Sequence, residues 1–223
     1  MIKFGPSGND EEFIAEKHKS TVEAAQWCKN LGLDWYEYSF GRGITLGEEK
    51  AVEIGEAFKK AEVGLSVHAP YFINFANEDE LKAENSYGYV ISSAKMMRLM
   101  QGNRVIFHPA AQGKATRERA VSVTEDRLKR LCDLIYANSL DDTLFCPETM
   151  GKLGQIGTIE EITRFCRIDK VFVPTIDFGH VNAREQGSLK TVGDYKSRLE
   201  YMIGELGEDK MKHFHAHFSK IQY

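Results

Sequence analysis

Cysteine is scarce in this chain: four residues in 223, Cys28, Cys132, Cys146 and Cys166, with no C-x-x-C pair among them. That excludes zinc-knuckle spacing and a dense disulfide framework. Cys146 and Cys166 stand in apolar company and read as small buried hydrophobes. No stretch approaches the ~20 apolar residues of a membrane span. The N-terminus reaches Asp10, Glu11 and Glu12 without an apolar run, so no secretory signal is expected and the cytoplasm is the expected location. Positive charge is not in excess either, with 29 basic against 33 acidic residues and a net charge of -4. Nucleic acid therefore feels no global attraction, and DNA binding would need a local patch or a bound metal. A complete G-x-G-x-x-G is also missing, since Gly5, Pro6, Ser7 and Gly8 do not supply it, which argues against a doubly wound dinucleotide fold.

What is present is alternation. Apolar, β-rich runs at 2–4, 35–39, 65–67, 105–107, 144–146, 171–176 and 214–218 read as buried strands. Between them, 21–29, 48–60, 87–100, 117–136, 159–166 and 192–206 carry helical spacing, several with acid early and base late as the helix dipole favours. Hydrophobic residues at 42% and charged residues at 28% suit one soluble α/β domain over 1–223. Repeats of about 30 to 40 residues predict a TIM (β/α)₈-type barrel, with seven of its eight strands visible.

Chemistry-bearing residues gather at one end of those strands. His68 and His108 directly follow apolar runs, Glu148 and Asp177 follow two more, His180 falls in the loop beyond Asp177, and His213, His215 and His217 alternate through the last. In a barrel these positions converge on the C-terminal mouth, where active sites are built. A lone histidine after a strand is usually structural; five successive strands ending in His, His, Glu, Asp and His predict a metal site. Imidazole and carboxylate without thiolate suit Zn²⁺ first, with Mn²⁺ or Fe²⁺ as substitutes. On the last strand the outer histidines are about 13 Å apart. His215 is taken as the ligand, His217 as its alternative, and His213 as a structural residue lower down.

The segments Val67-His68-Ala69-Pro70-Tyr71-Phe72-Ile73-Asn74, Phe107-His108-Pro109, Pro147-Glu148-Thr149-Met150-Gly151 with Leu153-Gly154, Ile176-Asp177-Phe178-Gly179-His180, and His215 ahead of Ser219-Lys220 occur in that order. Together they resemble the endonuclease IV family of apurinic/apyrimidinic endonucleases, from about residue 65 to the end. The resemblance implies a cluster of zinc ions that hydrolyses DNA on the 5′ side of abasic sites during base excision repair. It makes His68, His108 and Glu148 ligands of a first zinc, with Glu148 the catalytic bridge to a second. Asp177 and His215 become further ligands of the second zinc, and His180 a ligand of the third. It also places Tyr71 near the substrate phosphate, with Asn74 beside that strand end, and puts Arg42 in a loop that enters the DNA. The family's late Asp-x-His and final Glu lie beyond the strand of His215, whereas the sequence ends at Tyr223. The expectation is therefore a barrel lacking its eighth βα unit, with an incomplete second and third zinc site.

Two other readings use the same residues. One is a sugar isomerase or epimerase of the xylose isomerase-like barrels, acting on a small sugar with a single divalent metal. The other is a truncated metal-binding barrel without turnover. If DNA is the partner, its phosphate contacts are expected at Arg42, Tyr71, Lys114, Arg117, Arg184 and Lys220.

Overall fold

The computed structural model describes residues 2–9 and 11–219; Asp10 and the expected phosphate contact Lys220 lie outside the described residues. The chain divides into two compact units, Met1–Tyr71 with Tyr89–Val105, and Phe72–Gly88 with Ile106–Tyr223. In chain order its elements begin α1 (Glu11–Ala15), α2 (Thr21–Asn30), β1 (Trp35–Ser39), α3 (Glu48–Ala61), β2 (Gly64–His68) and α4 (Glu80–Leu99). They continue β3 (Arg104–Phe107), β4 (Ala110–Ala111), α5 (Arg117–Ala137), β5 (Leu144–Pro147), β6 (Gln155–Ile156) and α6 (Ile159–Cys166). Last come β7 (Thr175–Asp177), α7 (Phe178–Arg184), α8 (Val192–Leu206), α9 (Glu208–Met211) and β8 (His215–His217).

In the first unit β1 and β2 run parallel, in register from Trp35 opposite Gly64 to Ser39 opposite His68. Residues 2–4, expected as a strand, form an extended strip instead. The Phe4 carbonyl accepts from the N–H groups of Asp34 and Trp35, Glu37 donates to the Pro6 carbonyl, and Ser7 bridges Glu37. Pro6 has no N–H to continue a ladder. Gly5 permits the close approach: a Cβ there would lie 1.7 Å from the Trp35 carbonyl oxygen.

The second unit repeats one arrangement. Glu148 N–H donates to the Phe107 carbonyl at 3.0 Å, tying the end of β5 to that of β3. Phe145 bridges Phe172 and Glu148 bridges Thr175, both parallel, and β7 pairs parallel with β8. Neighbouring parallel strands in sequence order, joined through helices, are what βα units produce. The run 171–176 yields only the short β7, because Pro174 interrupts the ladder and contributes just its carbonyl, which accepts from His215 N–H at 3.0 Å.

Alternation along the strands layers this unit. Ile106 and His108 share a face, as do Cys146 and Glu148. Ile106, Cys146 and Val173 form a buried apolar cluster with Leu144 and Phe214 packed on it. The chemistry-bearing residues lie one strand repeat further on, above an apolar floor. All four cysteines are buried and unbonded to one another, in keeping with their sparse spacing. Among the described residues no helix is long and apolar enough to cross a membrane.

Truncating the floor should be costly. Ile106→Ala is expected to destabilise the protein by about 2–5 kcal/mol in denaturant unfolding, through lost burial and a cavity. A loss under about 1 kcal/mol would show that Ile106 is not part of a close-packed layer.

Candidate metal centre

Glu148 is the centre of the second unit's polar layer. The residue is 1% exposed, and its two carboxylate oxygens face different imidazoles. Oε2 lies 3.4 Å from His108 Nε2, whereas Oε1 lies 3.1 Å from His217 Nδ1 and 3.4 Å from His180 Nδ1. Asp177, 2% exposed, caps α7 by accepting from His180 N–H at 2.9 Å. Its two oxygens each accept from the Ser219 hydroxyl at 2.8 Å. Gly179 makes room for this, since a Cβ there would come within 2.6 Å of Ser219 Oγ.

Glu148, Asp177 and His217 each offer a ligand atom, all within 4.8 Å of one another. Two carboxylates and an imidazole, mostly buried, form a donor set suited to Zn²⁺ or a similar divalent ion. On β8 it is His217, not His215, that reaches this group. The register sets His217 opposite Asp177 and His215 opposite Thr175, and two residues amount to about 6.6 Å along a strand. His213 is no deeper strand residue: it lies exposed in the turn after α9. His180, expected in a loop, sits in the first turn of α7, because Asp177 starts a helix there.

Burial works against a charged His180, but its hydrogen bond to Glu148 and the charges of Asp177 and Glu148 outweigh burial and raise its pKa above the ordinary 6.5. Its Nδ1 also lies 2.9 Å from the Thr149 carbonyl, which accepts the ring proton.

In the first unit His68 is buried at the end of β2, with Nδ1 2.8 Å from the Ala69 carbonyl. Tyr71 packs its ring 5.4 Å from that of His68 and is 55% exposed. Its N–H donates to the Gly41 carbonyl, while Phe40 N–H donates to the His68 carbonyl. The exposed Arg42 is therefore carried by a turn stitched to the His68 strand end, between Gly41 and Gly43, both at positive φ.

Three expected substrate contacts are committed elsewhere. Asn74 Oδ1 accepts from the N–H groups of Ala76 and Ala111, both at 3.0 Å, so it shapes its own loop. Arg117 pairs with Glu161 and donates to the Leu153 and Gln155 carbonyls. Arg184 donates to the carbonyls of Met150, Lys152, Leu153 and Gln155. The two guanidiniums clamp the loop that follows Glu148. Burial raises the Glu161 carboxyl, but Arg117 and the N–H groups of Thr158 and Gly157 hold it below its ordinary pKa. Lys114 remains exposed.

A family model described as a xylose isomerase-like TIM barrel matches residues 25–222. An uncharacterized protein of Methanocaldococcus jannaschii is 29% identical over 223 residues, 100% of this chain and 78% of that relative. A probable endonuclease 4 of Methanosphaera stadtmanae is 26% identical over 157 residues, 69% of this chain; the chain spans about half, 54%, of that relative's length. The solved structure of a D-tagatose 3-epimerase-like protein superposes with a TM-score of 0.70 at 18% identity, covering 98% of this chain and 76% of that one.

In metal-free protein, the raised His180 pKa means that its protonation stabilises the fold fully below about 6.5. That contribution is lost as pH rises through the higher folded value. An NMR titration of the His180 ring checks the direction, and a value at or below 6.5 would contradict it.

Proposed function

Because the chain belongs to the xylose isomerase-like TIM barrel family, we propose that it is a metal-dependent phosphodiester hydrolase acting on DNA at abasic sites. The observation that carries this reading is the division of the Glu148 carboxylate, with Oε2 toward His108 and Oε1 toward His217. A carboxylate with histidines on both sides suits a shared ligand between two cations, whereas an isomerase needs one. The order of the endonuclease IV-like segments and the similarity to a probable endonuclease 4 support the same substrate class.

In this reading Glu148, Asp177 and His217 would hold the principal ion, with His108 and His180 as further ligands, and His68 is a candidate ligand by the resemblance alone. His215 is replaced by His217 as the β8 ligand. The cation supplies a lowered pKa for water and stabilises charge on the phosphate and leaving oxygen. The protein's own groups do the rest. The apolar floor keeps the carboxylates in a poorly solvated setting, which strengthens every charge interaction above it. Tyr71, Arg42 and Lys114, each exposed in its own unit, are the proposed phosphate contacts, whereas Arg117 and Arg184 are held by loop carbonyls.

The second reading, a single-metal sugar epimerase, draws on the compact Glu148–Asp177–His217 set and on the similarity to a D-tagatose 3-epimerase-like protein. One experiment separates the two. The purified chain is incubated with Zn²⁺ or Mn²⁺ and either a duplex carrying one abasic site or a ketohexose. The expected outcome is cleavage 5′ to the abasic site, weakening steeply with salt as phosphate contacts require, and lowered at least ~100-fold in Glu148→Gln. Sugar epimerisation without DNA cleavage would overturn the nuclease reading in favour of the second.

A further inference from the structure

Thr149 follows Glu148 in the chain and is 1% exposed, yet it offers no strong metal ligand of its own. Its hydrogen-bonding groups are all engaged, and each partner lies on the segment bearing Asp177 and His180. The Thr149 N–H donates to the Thr175 carbonyl at 3.0 Å. Its hydroxyl accepts from Asp177 N–H at 2.8 Å and lies 3.3 Å from the Asp177 carbonyl, to which it donates. Its carbonyl accepts from His180 Nδ1 at 2.9 Å. One residue therefore joins the end of β5 to the end of β7 and to the first turn of α7. The His180 ring also lies close against the neighbouring backbone: a Cβ on Gly151 would come 3.1 Å from its Cδ2.

We propose that Thr149 is a positioning residue, which locks Asp177 and His180 into one unit beside Glu148 and fixes the proton of His180 on Nδ1. The proposal rests on the reading that this group holds cations. A proton held on Nδ1 by a carbonyl leaves the Nε2 lone pair for ligation, the usual way an outer partner sets the tautomer of a ligating histidine. The hydroxyl is the part of Thr149 that side-chain substitution can remove. Valine keeps the shape but leaves the buried N–H of Asp177 without its hydroxyl partner, so the Asp177 end of β7 and the carbonyl facing His180 are no longer held together.

The test compares wild type, Thr149→Val and Thr149→Ser, with circular dichroism confirming that each is folded. Zinc affinity is measured by chelator competition, and the His180 tautomer by ¹⁵N NMR of metal-free protein at a pH above its raised pKa, where the ring is neutral. Thr149→Val is expected to bind zinc about 10- to 100-fold more weakly and to show mixed His180 tautomers, while Thr149→Ser keeps both properties. Wild-type affinity or a retained Nδ1–H tautomer in folded Thr149→Val overturns the proposal, as does loss of both properties in Thr149→Ser. If wild type takes up no zinc, the cation reading fails, and the tautomer measurement in metal-free protein still decides the role of Thr149.

Discussion

Two carboxylates taken almost wholly out of water set the terms for the rest of the second unit. Removing an ionised carboxylate from solvent costs several kcal/mol even after relaxation, and that cost must be offset by specific partners. Glu148 meets it with imidazoles on both sides, and Asp177 with the Ser219 hydroxyl and the His180 N–H. The floor of Ile106, Cys146 and Val173 makes the cost larger, because it replaces water with apolar atoms below the site. Imidazoles alone balance a buried carboxylate pair less well than a divalent cation would. In the proposed reading, the same burial that destabilises the bare site would give it affinity for a cation.

A site of this kind also needs a stiff surround. The loop from Met150 to Gln155 follows Glu148 and Thr149 directly, and its carbonyls are held by Arg117 and Arg184. Glu161 closes the arrangement, pairing with Arg117 and accepting from Gly157 and Thr158 N–H in the capping box of α6. Two positive charges near the site are thus spent on backbone carbonyls. In a chain with a net charge of -4, the proposed DNA substrate would have to be attracted by a bound cation and a few loop residues.

Much of this is legible in the residues, for physical reasons. The bounds of β1, α6 and α8 follow from alternation, helical spacing and the Thr158–Glu161 and Thr191–Asp194 capping pairs. The start of α4 at Glu80 is not, because its first turns are polar and its signal is Asp79 accepting from Leu81 N–H. α7 is hidden similarly: Asp177 reads as a ligand, and its second role as an N-cap turns the expected loop into a helix carrying His180. Glu148, Asp177, His108 and His180 gather because strand ends gather. The choice of His217 over His215 depends on the pairing of β7 with β8, and H-x-H carries no mark of its register. Arg117 and Arg184 look like any loop-side arginines until their carbonyl partners are in view, and Thr149 is silent in sequence because its role consists of four backbone and side-chain hydrogen bonds.

In the proposed reading, buried carboxylates and imidazoles at the strand ends, with no help from the cysteines, hold a divalent cation. X-ray absorption at the zinc edge of the zinc-loaded protein tests it most directly, with Glu148→Ala alongside. The account predicts a first shell of nitrogen and oxygen only, at about 2.0–2.2 Å, with an imidazole signature in wild type and loss of that bound zinc in the variant. Sulfur scattering near ~2.3 Å, or an unchanged spectrum and zinc content in Glu148→Ala, would contradict it.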